Sequence, residues 1–274
     1  MHADDYIELK GYTMKILLTN DDGVGAPGLH ALVEALAARG NKIAVAAPAT
    51  EQSGMAHALT VHRDIEVRAD GGFGNVVAEA WSIDGTPTDC VKIYLEAIAK
   101  RKDWPGLIIS GVNKGANLGT DVLYSGTVGG ALEGYMHGIP AIALSLDVHS
   151  SLSFEETAAI FVEKLPWLFE EGGDDFFLNV NFPKELWNGK AEFVWASLGH
   201  RDYLNAFDRI ERDGKLFYHI GGEIYDWDND EDTDICRTAE GFVAVTPLIV
   251  DMTDVPALRA RGVIPRFSGR LAES

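Results

Sequence analysis

The chain has 274 residues, 46% apolar and 24% charged, which is the make-up of an ordinary globular protein and excludes a disordered, fibrous or disulfide-scaffold chain. Its departure from the average is charge, because 42 acidic against 23 basic residues leave a formal net charge of −19. An acidic surface of that size repels duplex nucleic acid and anionic lipid, and a phosphate-bearing substrate would need a local cation to approach it.

Cys90 and Cys236 stand far apart and in no Cys-x-x-Cys spacing, so two free thiols are expected rather than a disulfide or a zinc site. The segment Met1-His2-Ala3-Asp4-Asp5-Tyr6 lacks the basic-then-apolar pattern of a secretory leader, and no stretch reaches the ~20 apolar residues that span a bilayer. A cytoplasmic protein is expected, with residues 1–13 as a polar extension before the fold begins.

From Met14 onward the pattern repeats as apolar run, loop and helix. Ile16–Leu18 predicts a strand, Leu29–Arg39 a helix stopped at Gly40, and Lys42–Ala47 a second, parallel strand stopped by Pro48. The Gly-rich stretch 64–75 predicts a hairpin or extended excursion, and Thr88–Arg101 a helix. Leu107–Ile109 is the next buried strand and opens into the Gly- and Asn-rich run Ser110–Gly119. A helix of small residues to about His137, a strand at Ala141–Ser145, an amphipathic helix at Glu155–Phe169 and a strand at Phe176–Asn181 follow. The expected architecture is therefore a three-layer, Rossmann-like α/β domain with a mainly parallel sheet, over residues 14–197. Beyond that the sequence becomes charged, aromatic and alternating, and Lys215–His219 after the turn Asp213-Gly214 predicts a β-hairpin. Residues 198–274 are expected to form a projecting arm, which buries little surface alone and is best accommodated against a second subunit.

The chemistry gathers in the loops after the strands. Thr19-Asn20-Asp21-Asp22-Gly23 sets two adjacent carboxylates where the first strand ends. Neighbouring anions repel unless a cation, a proton or strong hydrogen bonds offset them, and this edge of an α/β sheet is where ligands bind. Hard oxygen ligands favour magnesium, manganese or calcium. Ser53, in Gln52-Ser53-Gly54 beyond the second strand, offers a hydroxyl to the same edge, and Asn113, in the loop after Ile109, offers a neutral oxygen. Ser125-Gly126-Thr127 opens a helix, whose free N–H groups and positive dipole end suit a phosphate.

Other motifs are weaker. Gly23-Val24-Gly25-Ala26-Pro27-Gly28 matches G-x-G-x-x-G, yet Asp21 and Asp22 would face a dinucleotide's pyrophosphate, Pro27 removes an N–H, and the second strand ends without an acid for a ribose. Ser53 and His57 lack the frame of a hydrolase triad. Asp226, Asp228 and Asp230 copy the first EF-hand spacings, but Glu231 and Arg237 stand where the glycine and bidentate glutamate belong.

Taken in order, these blocks resemble the survival protein E (SurE) family of 5′/3′-nucleotidases. The likeness rests on Thr19–Gly23 with Ala26–Gly28, Gln52–Gly54, Gly85–Cys90, Ser110–Asn113 with Asn117–Gly119, Tyr124–Val128 with Glu133-Gly134, Asn179–Asn181 and Gly241–Leu248. It implies a Rossmann-like domain, one Mg²⁺ or Mn²⁺ per subunit held by Asp21, Asp22, Ser53 and Asn113, and hydrolysis of nucleoside monophosphates, with short polyphosphate as a second substrate. Asp21 and Asp22 would be catalytic, while Asn20, Asn117, Ser125, Gly126 and Thr127 would hold the phosphate. It also implies a homodimer, in some members a tetramer, with exchanged C-terminal elements. The chain departs from the family pattern at Ala116, where proline is usual, at Gly130, where alanine is usual, and in the additional residues 1–13.

Overall fold

The computed structural model describes residues 14–262; the extension expected over 1–13 and the last part of the arm, 263–274, lie outside the described residues. Apolar runs bounded by turns build a nine-stranded sheet. In chain order the first half contains β1 (Lys15–Thr19), α1 (Pro27–Ala38), β2 (Lys42–Pro48), β3 (Val67–Ala69), β4 (Glu79–Ile83), α2 (Pro87–Ile93), β5 (Leu107–Lys114), α3 (Gly126–Met136), β6 (Ala141–Leu146) and α4 (Phe154–Gly172). The second half contains β7 (Phe177–Phe182), β8 (Phe193–Trp195), β9 (Arg201–Leu204), β10 (Phe207–Arg212), β11 (Lys215–Ile220), β12 (Glu223–Asp226), α5 (Asp234–Ala239), β13 (Val243–Pro247) and α6 (Val255–Ala260).

The strand order is β3-β4-β2-β1-β5-β6-β7-β13-β8. The run β4 to β7 is parallel, as expected, while β3 pairs antiparallel to β4 and β13 antiparallel to β7. Alternation along β1 shows why both faces are covered. Ile16 and Leu18 join a core with Leu29, Leu32 and Leu36 of α1 and Phe161 and Leu165 of α4, and Leu17 joins a core on the other face with Cys90 and Val91 of α2 and Val128 and Ala131 of α3. A strand buried on both sides reads as a continuous apolar run for this reason.

Three expectations are revised. The helix predicted over 88–101 stops being α-helical at Ile93, passes through a π turn at Tyr94–Ile98 and ends there. The strand predicted at 107–109 runs on to Lys114, and so carries Asn113 on the sheet itself. The boundary at 197 does not separate the sheet from the arm, because β13 returns to the main sheet between β7 and β8. What projects is two two-stranded ladders, β9 with β12 and β10 with β11, the second closed by Asp213 and Gly214 at φ 53° and 68° as the hairpin pattern requires. No helix among the described residues is long and apolar enough to cross a membrane.

Candidate metal and phosphate site

Four loops meet at the C-terminal edge of β1. Asn20 shapes the first, since its Nδ2 donates to the Gly23 carbonyl at 2.9 Å and its Oδ1 accepts from the Gly23 N–H at 3.2 Å. The two aspartates then face different neighbours. Thr127 Oγ1, in the first turn of α3, donates to Asp21 Oδ1 at 2.5 Å, and the Lys114 N–H at the end of β5 donates to Asp22 Oδ2 at 3.3 Å.

The loop after β2 is tied to the same point, because the Gln52 N–H donates to the Asp21 carbonyl at 2.7 Å. Ser53 follows, exposed, with its Oγ donating to Glu51 Oε1 at 2.7 Å. Asn113 is delivered by an irregularity in β5: the pairing with β6 slips between Ser110 and Asn113, so Asn113 re-enters register opposite Ser145. Its Nδ2 donates to the Gly115 carbonyl at 2.7 Å, which leaves Oδ1, an oxygen acceptor, as the other polar atom of its amide. Ser125 caps α3 by accepting from the Val128 N–H at 3.1 Å, and Gly126 lies so close that a Cβ there would sit 3.0 Å from Asp21 Oδ2 and 3.2 Å from the Gln52 carbonyl.

Burial pushes the Asp21 carboxyl up to about 6, with the Asp22 charge adding to it and the Thr127 hydrogen bond opposing it. Asp22 is raised as well, by partial burial and by Glu51, against the Lys114 N–H. Two adjacent carboxyls are thus held in surroundings that disfavour their charge, which a cation bound between loops would reverse.

Six of the residues singled out from the sequence converge at this edge, Asp21, Asp22 and Ser53 from loops, Asn113 from the end of β5, and Gly126 and Thr127 from the first turn of α3, with Ser125 as the helix cap. Asn20 and Asn117 make hydrogen bonds within the protein. Asn20 closes its own turn, and Asn117, also buried, donates from Nδ2 to Ser145 Oγ at 2.9 Å while its backbone bonds with Asn179 and Asn181. Asp226 of the EF-hand-like run is bound by Arg201 at 2.6 and 3.0 Å, a structural ion pair.

Sequence reading missed the groups that fix the Ser53 loop from behind. The Ala56 N–H donates to the Tyr124 carbonyl at 3.0 Å, His57 Nε2 lies 2.8 Å from Glu133 Oε2, and Thr86 Oγ1 donates to the Ala58 carbonyl at 2.7 Å. Thr60 donates from both N–H and Oγ1 to Asp89, at 3.0 and 2.7 Å. The signature was present in Thr86-Pro87-Thr88-Asp89, a capping box in which Asp89 accepts the Thr86 N–H. Glu133 also belongs to a separate carboxylate–histidine group with Glu96 and His137. There Lys92 Nζ lies 2.8 Å from Glu96 and 3.2 Å from Glu133, so that group holds its own cation.

Residues 16–205 match the family described as Survival protein SurE. The chain belongs to the SurE family. A 5′-nucleotidase SurE of Desulforudis audaxviator is 44% identical over 254 residues, covering 90% of this chain and 96% of the relative. Another 5′-nucleotidase SurE, of Pelotomaculum thermopropionicum, is 41% identical over 88% of this chain and 91% of its own length. The fold agrees with the crystal structure of a SurE protein from Aquifex aeolicus at a TM-score of 0.75 and 36% identity, over 90% of this chain and 97% of that one.

Proposed function

We propose that this chain is a divalent-metal-dependent phosphomonoesterase that hydrolyses nucleoside 5′-monophosphates to nucleoside and phosphate, with 3′-monophosphates and short polyphosphate as further substrates. The observation that carries this reading is the juxtaposition of two under-compensated carboxyls, Asp21 and Asp22, with the N-terminal turn of α3. Two relatives alike over nearly the whole chain bear the name 5′-nucleotidase SurE, which favours the same substrate class.

Asp21, Asp22, Ser53 and Asn113 are the residues that would hold the metal, and their all-oxygen donor set suits Mg²⁺ or Mn²⁺. Such an ion supplies charge neutralisation at the phosphoryl oxygens and a more acidic water. The chain's own residues do the rest. Thr127 orients Asp21, the N-terminal turn of α3 at Gly126 and Thr127 seats phosphate oxygens, and Asp22 accepts the proton of the attacking water. The leaving nucleoside takes its proton from solvent.

The arm supports a homodimer. Phe207, Leu216, Tyr218 and Ile220, which share one face of the β10–β11 hairpin, are 50–75% exposed, an apolar strip that a second copy of the chain would cover. Exchange of C-terminal elements between protomers is part of the same reading.

Phosphate release from a panel of 5′- and 3′-nucleoside monophosphates, short polyphosphate and a simple aryl phosphate tests the substrate assignment. Faster release from the 5′-monophosphates than from the aryl phosphate is expected; equal rates for all would mean that the site recognises phosphate alone.

A further inference from the structure

A second feature lies at the opposite, N-terminal edge of the sheet. There Lys15, Lys42, Lys100 and Lys102 line a cavity of about 540 Å³ together with Glu79, Asp103 and Trp104. Its volume falls within the ~300–1,000 Å³ of small-ligand sites. Four of the 23 basic residues of a chain with net charge −19 therefore face one cleft, against two carboxylates.

The carboxylates do not balance these cations. Lys15 Nζ donates to the Asp103 carbonyl at 2.7 Å and to Glu79 Oε1 at 3.3 Å. Glu79 is further claimed by the Tyr94 hydroxyl at 2.6 Å and by Trp81 Nε1 at 3.3 Å. The ammonium groups of Lys42, Lys100 and Lys102 form no ion pair or hydrogen bond among the described residues. Lys42 is also the direct cross-strand neighbour of Lys15, so the one carboxylate that Lys15 engages, Glu79, faces two like charges.

We propose that this cleft is a binding site for a small phosphate polyanion, remote from Asp21 and Asp22 and independent of the catalytic reading. Three unpaired ammonium groups spread around one cavity exceed what a single monoanion neutralises, and they suit a chain of linked phosphates. The acidic surface elsewhere repels a long nucleic acid, so the ligand is a short one, either inorganic polyphosphate or the triphosphate tail of a nucleotide.

Isothermal titration calorimetry on the full-length chain in EDTA, with inorganic triphosphate in one arm and ATP in the other, tests this. Binding is expected in both, weakening as NaCl rises, and the combined Lys42→Ala, Lys100→Ala and Lys102→Ala variant should raise Kd by about tenfold or more. Asp22→Asn should bind as the wild type does, and the triple lysine variant should release phosphate from nucleoside monophosphates at the wild-type rate. Equal affinity for the two ligands identifies the phosphate chain as what is recognised; tighter ATP binding assigns a share to the nucleoside. The proposal is overturned if neither ligand binds, if the triple variant binds as tightly as the wild type, or if binding is lost only in Asp22→Asn.

Discussion

Thr127 Oγ1 donates a 2.5 Å hydrogen bond to Asp21 Oδ1 and so joins the end of β1 to the first turn of α3, 106 residues later in the chain. The bond favours the ionised carboxyl against burial, and a hydrogen bond to a charged group is worth about 1.5–3 kcal/mol. Thr127→Val should therefore raise the Mn²⁺ concentration for half-maximal phosphate release by roughly tenfold, 1.4 kcal/mol being about a factor of ten. An unchanged half-saturation point would remove Thr127 from the account of Asp21.

Glu133 gives a pH dependence of stability. Burial alone would raise its carboxyl, but hydrogen bonds from His57 and Lys92, and the charges of Lys92 and His137, outweigh that and the nearby Glu96 and hold it below the ordinary value of 4.5. A depressed carboxyl stabilises the fold above its unfolded value and loses that contribution as the pH falls through its folded value. Glu133→Gln should destabilise the protein by about 1–2 kcal/mol at neutral pH, with the difference shrinking as the pH falls below the ordinary glutamate value of 4.5 and through the depressed folded one. Urea unfolding at several pH values would show this; a deficit constant with pH would assign the loss to packing.

Gly129 touches the back of the Ser53 loop. A Cβ at this position would stand 2.3 Å from the Ala56 carbonyl oxygen, a backbone atom that can yield only if the loop moves. Alanine normally exceeds glycine in a helix by about 1 kcal/mol, so a Gly129→Ala variant that is destabilised, by about 1–3 kcal/mol, would mark the clash as the stronger effect. Its kcat should fall as well, since Ser53 rides on the displaced segment. Thermal melts and single-substrate kinetics check both, and a variant that melts higher with full activity would contradict the packing described.

The hairpin can be removed cleanly. The Gly221 N–H already donates to the Ala206 carbonyl at 3.0 Å, so deleting residues 207–220 joins ends that are in contact. Sedimentation velocity should find the full chain as a dimer, or a dimer of dimers, and the shortened chain as a smaller species. A monomeric full chain would leave the exposed Phe207 and Ile220 without the proposed partner.

How much of this was legible depended on how local its cause is. The parallel strands, the helix expected from Leu29, which begins two residues earlier at Pro27, the helix opened by Ser125-Gly126-Thr127 and the hairpin at Asp213-Gly214 follow from short apolar runs, caps and turn residues. The expectation that Asp21, Asp22, Ser53 and Asn113 lie at one edge followed from strand order in a parallel sheet. What escaped depends on partners distant in sequence. The five-residue β4 gave no pattern distinct from its Gly-rich surroundings, and β13 re-enters the sheet only because β7 and β8 leave a place between them. Nor does the sequence show that Asn20 and Asn117, which the family resemblance gives to phosphate, make hydrogen bonds within the protein, with Gly23 in one case and with Ser145, Asn179 and Asn181 in the other. Buried anchors such as Asp234, which accepts the N–H groups of both Gly119 and Gly199, leave no trace in sequence spacing.

The most direct test of the central claim is phosphate release from a nucleoside 5′-monophosphate by metal-stripped protein, resupplied with Mn²⁺ or Mg²⁺, alongside Asp22→Asn treated the same way. The proposed chemistry predicts no release without metal, restoration on adding it, and at least a roughly hundredfold loss of kcat in Asp22→Asn, as expected for removal of a proton acceptor. Full activity in EDTA, or an Asp22→Asn variant with wild-type rate and metal affinity, would contradict it.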